Sequence, residues 1–230
     1  MMRILLIALL GLTSCAPVYV PNVRNSPMFT KAGEFQGSLQ VGNGVELQAA
    51  VAVTNHLGIM GNYSFVDASD PENEDDYVRH KIREVGIGYF TNPGNSFFEV
   101  FFGYGNGEGT SFDTFEFIGS QTTAATGRYE RYFLQPAFGV NKERMHFSFA
   151  PRFCMVDFYE FSNDLIRTSI QEDGKFFFEP AIVGRYNFAN NALFGTFQLG
   201  ASLPLSDNIY FDRRTFQLAF GFGFRIGGAK

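Results

Sequence analysis

The chain has 230 residues, enough for one large domain, and contains 29 Phe, 10 Tyr and 25 Gly but no Trp. A formal net charge of -5 provides no basic surface for nucleic acid, so we expect no nucleic-acid partner. Abundant aromatic residues and glycine favour twisted, curved strands and indicate an all-β fold.

The first residues have the pattern of a targeting segment. Arg3 precedes an apolar run, Ile4 to Leu12, that is too short to span a bilayer. The sequence Leu12-Thr13-Ser14-Cys15 resembles the lipobox of bacterial lipoproteins. That resemblance implies removal of residues 1–14 as a signal peptide and attachment of lipid, including palmitate, to Cys15. Ala16 at the next position implies transport to the outer membrane. An ordinary signal peptide with a cysteine near its cleavage site is the alternative.

The next part of the chain lacks a regular hydrophobic period. Because prolines and a glycine interrupt it, we predict that residues 15–33 form the lipid anchor and a linker. The only other cysteine is Cys154, and a lipidated Cys15 cannot pair with it, so we expect no intramolecular disulfide.

From residue 34 to residue 226, large apolar side chains alternate with small or polar ones in ten segments. This is the two-residue period of a β-strand, and each segment is close to the ~9–11 residues of a tilted membrane strand. The clearest segment is Phe216–Ile226, with a phenylalanine-rich face opposite a glycine-rich face. We predict an antiparallel up-and-down transmembrane β-barrel of ten strands, with eight as the alternative count. Residues 227–230 form a tail.

Connection lengths are consistent with this topology. Short connections at 54–56, 91–95, 141–144 and 187–191 alternate with long ones at 67–77, 106–128, 157–175 and 206–214, except for a tight turn at 42–44. Short periplasmic turns and longer outer loops are the asymmetry of bacterial outer-membrane barrels. Pro136, Pro151 and Pro180 fall inside predicted strands, where we expect bulges.

The lipobox, the even number of amphipathic strands and the phenylalanine-rich last strand together resemble the small outer-membrane β-barrel proteins of Gram-negative bacteria. The resemblance implies outer-membrane lipid and the barrel insertion machinery as partners, and a lipidated N-terminus on the periplasmic side. The chain departs from the family pattern because it ends at Lys230 and not on an aromatic residue. That family has many unrelated activities, so none is implied here.

The polar face of the predicted strands carries nine charges. These are Glu34, Glu46, Glu84, Glu99, Glu179, Arg131, Arg152, Arg185 and Arg225. Their near balance predicts a hydrogen-bonded, largely closed lumen, because unpaired buried charges are costly. A narrow ion or solute path is the alternative. Near the strand ends, aromatic residues predict two interfacial girdles: Tyr104, Tyr129, Tyr132, Phe158 and Tyr159 at the outer ends, and Tyr89, Phe138, Phe147 and Tyr186 at the inner ends.

These features favour a structural or surface-interaction protein whose long loops would bind any extracellular partner. One alternative is a soluble periplasmic lipoprotein that binds an apolar ligand inside a barrel or sandwich. Another is an outer-membrane protease or lipid A-modifying enzyme, but His56, His80 and His146 do not assemble with serine and acid from strand order. We therefore expect no enzyme. No cofactor motif occurs, and the acidic stretch 67–76 lacks EF-hand spacing, so we predict no metal site.

Overall fold

The computed structural model describes residues 17–69, 76–115, 121–163 and 173–227. The predicted signal peptide, Cys15, most of the acidic stretch and the last three residues lie outside this part of the chain. Within the described residues, no helix is long and apolar enough to cross a membrane.

The described chain is almost entirely β-structure. In order, its segments are β1 (Phe35–Val41), β2 (Val45–Ala52), β3 (Leu57–Ser69), β4 (Tyr77–Thr91), β5 (Ser96–Phe115), β6 (Gln121–Lys142), β7 (Met145–Phe149), β8 (Arg152–Asn163), β9 (Lys175–Glu179), β10 (Ala181–Phe188), β11 (Leu193–Ala201), β12 (Leu203–Pro204) and β13 (Phe216–Ile226).

All segments belong to one antiparallel sheet that closes on itself. Three barrel strands are each built from two segments, β7 with β8, β9 with β10 and β11 with β12, so the barrel has ten strands. Segment β13 pairs with β1 from Phe35↔Ile226 to Val41↔Phe220, and it pairs with β11 on its other side. The predicted all-β, ten-stranded barrel is confirmed, with Phe216–Ile226 as its closing strand.

At two of the three strand prolines, where the sequence predicted bulges, the strand is divided into two segments. Pro151 separates β7 from β8, and Pro180 separates β9 from β10, because neither can donate to a ladder. Pro136 remains within β6 but lies between the ladder to β7, which begins at Phe138, and the ladder to β8, which ends at Leu134. These three breaks lie on neighbouring strands. The residues on both sides of each proline point into the barrel. Such irregular positions in a sheet are often found where side chains need a particular direction.

The two faces of the wall have opposite polarity. In β13, Phe216, Leu218, Phe220 and Phe222 are exposed, whereas Gln217 and Ala219 are buried. The same alternation recurs around the barrel, with large apolar side chains outside and polar or small ones inside. A one-residue slip in register would exchange the two faces, so this pattern fixes the pairing.

The wall differs in height around the barrel. Segments β5 and β6 have 20 and 22 residues, whereas β1 and β2 have 7 and 8. The connection predicted over 106–128 is consequently shorter than expected, because β5 and β6 stay paired from Asn106↔Glu130 to Phe115↔Gln121. Likewise β8 continues to Asn163 inside the predicted 157–175 connection. Backbone hydrogen bonds between these extended, glycine-rich segments continue the strands beyond the point where the alternation of large apolar and polar side chains ends.

We call the end that holds the β3–β4, β5–β6, β8–β9 and β12–β13 connections the long-loop end. The opposite end, where β2–β3, β4–β5, β6–β7 and β10–β11 are joined, is the short-turn end.

The lumen is filled by the chain's own N-terminal segment. Residues 17–29, which the sequence predicted as part of a linker, are buried throughout, and we call residues 17–33 the plug segment. At the long-loop end, the Val18 N–H donates to Asp212 O (3.0 Å). At the short-turn end, the Gly33 N–H donates to Ala52 O (2.8 Å). The prolines that suggested a linker also suit this interior backbone, since proline has no N–H that needs a partner.

The plug segment fits because many wall residues that face it are small. The closest approach is at Gly109, where an added Cβ would lie 2.1 Å from Val18 O. Only glycine allows the wall and the plug segment to meet at this distance.

Gly109→Ala should destabilise the barrel by about 1–3 kcal/mol, because its methyl group overlaps plug backbone that cannot rotate away. Urea unfolding of protein in detergent micelles would measure the loss. Gly61→Ala on β3 is the matched control, since its Cβ would meet nothing closer than Glu84 O at 3.7 Å and should change stability by less than about 0.5 kcal/mol. Equal losses in the two variants would refute the close approach of Val18.

Candidate functional site

The middle of the lumen contains a cluster of buried charges. The Arg131 guanidinium pairs with both Glu84 and Glu179, with a distance of 2.9 Å from its Nε to Glu84 Oε1. Arg152 approaches Glu84 (Nη1–Oε2 3.5 Å), and Arg24 approaches Glu179 (Nη2–Oε2 3.3 Å). All five side chains are fully shielded from solvent. Arg24 belongs to the plug segment, so the cluster joins the plug segment to the wall.

Two other plug residues complete this cluster. Asn22 donates to Glu84 Oε2 (2.5 Å), and its Oδ1 accepts from both Arg131 and Arg152. The Tyr19 hydroxyl donates to Glu179 Oε1 (2.7 Å) and accepts from Arg131 Nη1 (2.8 Å). The Tyr19 side chain is fully buried, so these two contacts take the place of water at its hydroxyl. Without the plug segment, the wall charges would lose these partners.

The backbone of the plug segment is bonded mainly by wall glutamines. Their side-chain amides donate to plug carbonyls: Gln217 to Pro21 O (2.9 Å), Gln48 to Val23 O (2.9 Å), Gln198 to Arg24 O (3.3 Å), Gln135 to Asn25 O (2.7 Å) and Gln36 to Pro27 O (2.7 Å). Buried irregular backbone needs such partners because it forms no ladder of its own. The glutamines come from different strands, so the segment is bonded around its circumference.

A second group of charges lies toward the short-turn end. Glu99 accepts from the Ser26 hydroxyl (2.6 Å) and from the Met28 N–H (3.0 Å). Arg185 donates to the carbonyls of Ser26 and Pro27 (3.0 and 2.8 Å). These contacts hold the lower part of the plug segment against the wall.

The remaining predicted lumen charges are also buried. Glu34 and Arg225 lie 3.0 Å apart (Oε1–Nε), which is the interior ion pair that the sequence indicated for Arg225, although the two groups are not aligned as a hydrogen bond. Glu46 accepts from the Val23 N–H (2.8 Å). The structure thus places all nine predicted charges inside the barrel and gathers Glu84, Glu179, Arg131 and Arg152 into one cluster.

Sequence reasoning missed Arg24, Asn22 and Tyr19, because the segment that carries them lacks a strand period. One signal was available. The nine predicted lumen charges are five Glu and four Arg, which leaves one negative charge without a counterpart. Arg24 supplies it, so the buried Glu and Arg side chains of the described chain are equal in number. Buried charge requires pairing, and the imbalance indicated one more cation in the lumen.

The described lumen has little free space. Between Arg24–Ser26 and the wall residues Gln36, Gln40 and Gln48 lies a cavity of about 20 Å³, room for one water molecule. A path for ions or solutes would need the plug segment to move.

The histidines lie apart from one another. His80 Nε2 is 2.8 Å from the Tyr129 hydroxyl inside the long-loop end. His146 lies between the side-chain amides of Asn141 and Asn187 (2.7 Å each), and His56 stacks on Tyr89 in a turn at the short-turn end. The Cys154 thiol donates to Glu179 (3.3 Å) as part of the central cluster. Within the described residues, no group of His, Cys, Asp and Glu could hold a metal ion.

Two aromatic residues predicted for the outer girdle belong to the interior instead. Tyr129 and Phe158 are fully buried and pack with Tyr19 and Phe211, with Phe158–Phe211 ring centroids 4.6 Å apart. Tyr129 has the same parity as inward-facing Arg131, and Phe158 has the same parity as inward-facing Cys154 and Val156, while Tyr159 is exposed. This aromatic cluster covers the plug segment at the long-loop end.

No known protein-family model matches the chain, and no curated protein is detectably similar to it.

Arg131→Gln should lower the free energy of unfolding by about 3–5 kcal/mol, because it leaves Glu84 and Glu179 buried with one cation fewer. Arg128→Gln on the same strand is the control. Its ion pair with Glu160 is more than half exposed and should contribute at most about 1 kcal/mol. Urea midpoints for both variants would test this. Similar small losses would mean that the buried cluster does not stabilise the barrel.

Proposed function

We propose that the protein is an outer-membrane β-barrel with a closed lumen, anchored by lipid at Cys15, that serves as a structural or surface-interaction protein. The observation that carries this proposal is a continuous belt of exposed apolar side chains. Every barrel strand contributes to it, for example through Leu39, Leu47, Ile59, Ile87, Phe102, Leu134, Phe153, Ile182, Leu199 and Phe222. A water-soluble barrel would not leave a ring of this kind uncovered, whereas lipid covers it.

The upper boundary of the belt supports the same interpretation. On β5 the outward residues change from Phe98 and Phe102 to Asn106, Glu108 and Thr110. The extended part of the wall carries surface ion pairs such as Arg79–Asp67, Lys81–Glu108 and Arg128–Glu160. Charged side chains at this level belong in water, whereas the apolar part below suits the lipid-facing band of such barrels.

Aromatic residues lie near both edges of the belt. Tyr104 and Tyr132 form an adjacent pair near the upper edge, with ring centroids 5.2 Å apart, and the Tyr104 hydroxyl donates to Glu130 (2.9 Å). Near the short-turn end, Tyr89 and Tyr186 are exposed. Amphipathic rings of this kind are favoured at membrane interfaces, so they support an interface at each edge of the belt. The difference in loop length supports short turns on the periplasmic side and long loops outside.

The filled lumen favours an interaction or structural role over transport. A soluble apolar-ligand carrier would need an apolar cavity, but the cavity found beside the plug segment is about 20 Å³ and is bordered by polar side chains such as Arg24, Gln36 and Gln48. The surface available to a partner is the extended long-loop end, where β5 and β6 project above the belt. Any extracellular partner would bind there.

Phe222→Arg should reduce insertion into the outer membrane, because this side chain is 73% exposed within the apolar belt and a cation there would cost about 2–4 kcal/mol in lipid. Thr126→Arg is the control, since it is also exposed but lies on the extended part of β6. The amount of each variant in carbonate-washed outer membranes, with mobility compared before and after boiling, measures insertion. Equal recovery of both variants would argue against lipid contact, and so would carbonate release of the unmodified protein.

Cys15→Ala should abolish incorporation of radiolabelled fatty acid while leaving the barrel folded, because the lipobox cysteine is the acceptor. The control is Cys154→Ala, which removes the other cysteine and should retain the label. Persistent labelling of Cys15→Ala would refute lipidation at Cys15, and an unmodified protein that takes up no label would support an ordinary signal peptide.

A further inference from the structure

The direction of the plug segment determines the end of the barrel at which the chain enters it. Its first described residues lie at the long-loop end, where the Val18 N–H donates to Asp212 O and Tyr19 forms a parallel bridge with Arg213. Its last residues lie at the short-turn end, where β1 begins beside the end of β13.

Contacts with the wall follow the same order along the segment. On β5, Gly109 meets Val18, and Glu99, ten residues nearer the short-turn end, accepts from Met28. On β4, Glu84 accepts from Asn22. The residue that follows β4, Asn92, donates to Phe29 O (2.7 Å). The segment therefore crosses the lumen once, from one end to the other.

Its length is sufficient for this path. Residues 17–33 span at most about 53–58 Å when extended, compared with a hydrocarbon core of ~30 Å. Cys15 precedes Pro17 by two residues, so the two Cα atoms can be separated by no more than about 7 Å. A group attached to Cys15 must therefore leave the barrel near the long-loop end.

We propose that the mature chain begins on the cell surface and enters its own barrel from outside, so that lipid on Cys15 inserts into the outer leaflet. The membrane surface that this lipid would contact is thus the external face of the outer membrane. This inference rests on the proposed function for the orientation of the barrel, and it replaces the expectation of a periplasmic anchor. The plug segment then connects an external lipid anchor with a strand that begins at the periplasmic end.

One epitope tag inserted at three separate positions tests the topology in intact cells. The first position is between Ala16 and Pro17, the second between Asp207 and Asn208 at the long-loop end, and the third between Asn190 and Asn191 at the short-turn end. The first two tags should bind antibody without permeabilisation, and the third only after it.

The controls separate this inference from the proposed function. A tag at 16/17 that is accessible only after permeabilisation, with the 207/208 tag accessible from outside, would overturn the inference and leave the barrel orientation intact. An accessible 190/191 tag with an inaccessible 207/208 tag would overturn the orientation itself.

A disulfide tests the threaded path without a tag. The hydroxyls of Ser26 in the plug segment and Ser148 on β7 are 3.3 Å apart, so cysteines at both positions can reach bonding distance after small side-chain rotations. In a Cys154→Ser background, Ser26→Cys with Ser148→Cys should form the bond, so that the protein unfolded in detergent resists maleimide until it is reduced. Ser26→Cys with Ser111→Cys is the mismatched control, because Ser111 lies beyond Gly109 toward the long-loop end. Free thiols in the first pair would show that the plug segment is not enclosed.

Discussion

The burial of charge inside a closed wall is the constraint on which the other features of this protein depend. Paired Glu and Arg side chains face the lumen, and leaving any of them unpaired would destabilise the fold by several kcal/mol, roughly. The wall alone does not satisfy them. Arg24, Asn22 and Tyr19 of the plug segment provide the missing contacts to Glu84, Glu179 and Arg131. The N-terminal segment is therefore an integral part of the barrel interior.

The outer face of the barrel is apolar and the inner face is largely polar, which is the reverse of a water-soluble protein. Phe222 and its counterparts on the other strands are exposed, while the interior is held by charge pairs and by amide contacts such as Gln135 to Asn25 O. The apolar outer face is the reason for the lipid environment that we propose, and the plug segment accounts for the inside. The cavity beside Arg24–Ser26 has a volume of about 20 Å³. This packing favours the proposed role at the long-loop end over transport.

Sequence patterns were reliable wherever a local period determined the structure. The two-residue alternation in Phe216–Ile226 predicted both the strand and its faces, and register then followed from the polarity of those faces. Residue type alone was misleading near the strand ends. Tyr129 and Phe158 are aromatic residues there, but their parity turns them inward. The segment around Asn22 resembled a linker because its partners, Glu84 and Arg131, are more than sixty residues away.

By itself, the sequence determined the all-β class, the ten-stranded barrel, the apolar outer face and the set of wall charges directed inward, because each depends on alternation between neighbouring residues. Only the tertiary structure decided what fills the lumen and from which end the chain enters it. An irregular segment has no period to reveal its position. Its place is fixed by contacts between residues distant in sequence, such as Tyr19 with Glu179 and Arg24 with Gln198. These contacts exist only after the strands have closed around it.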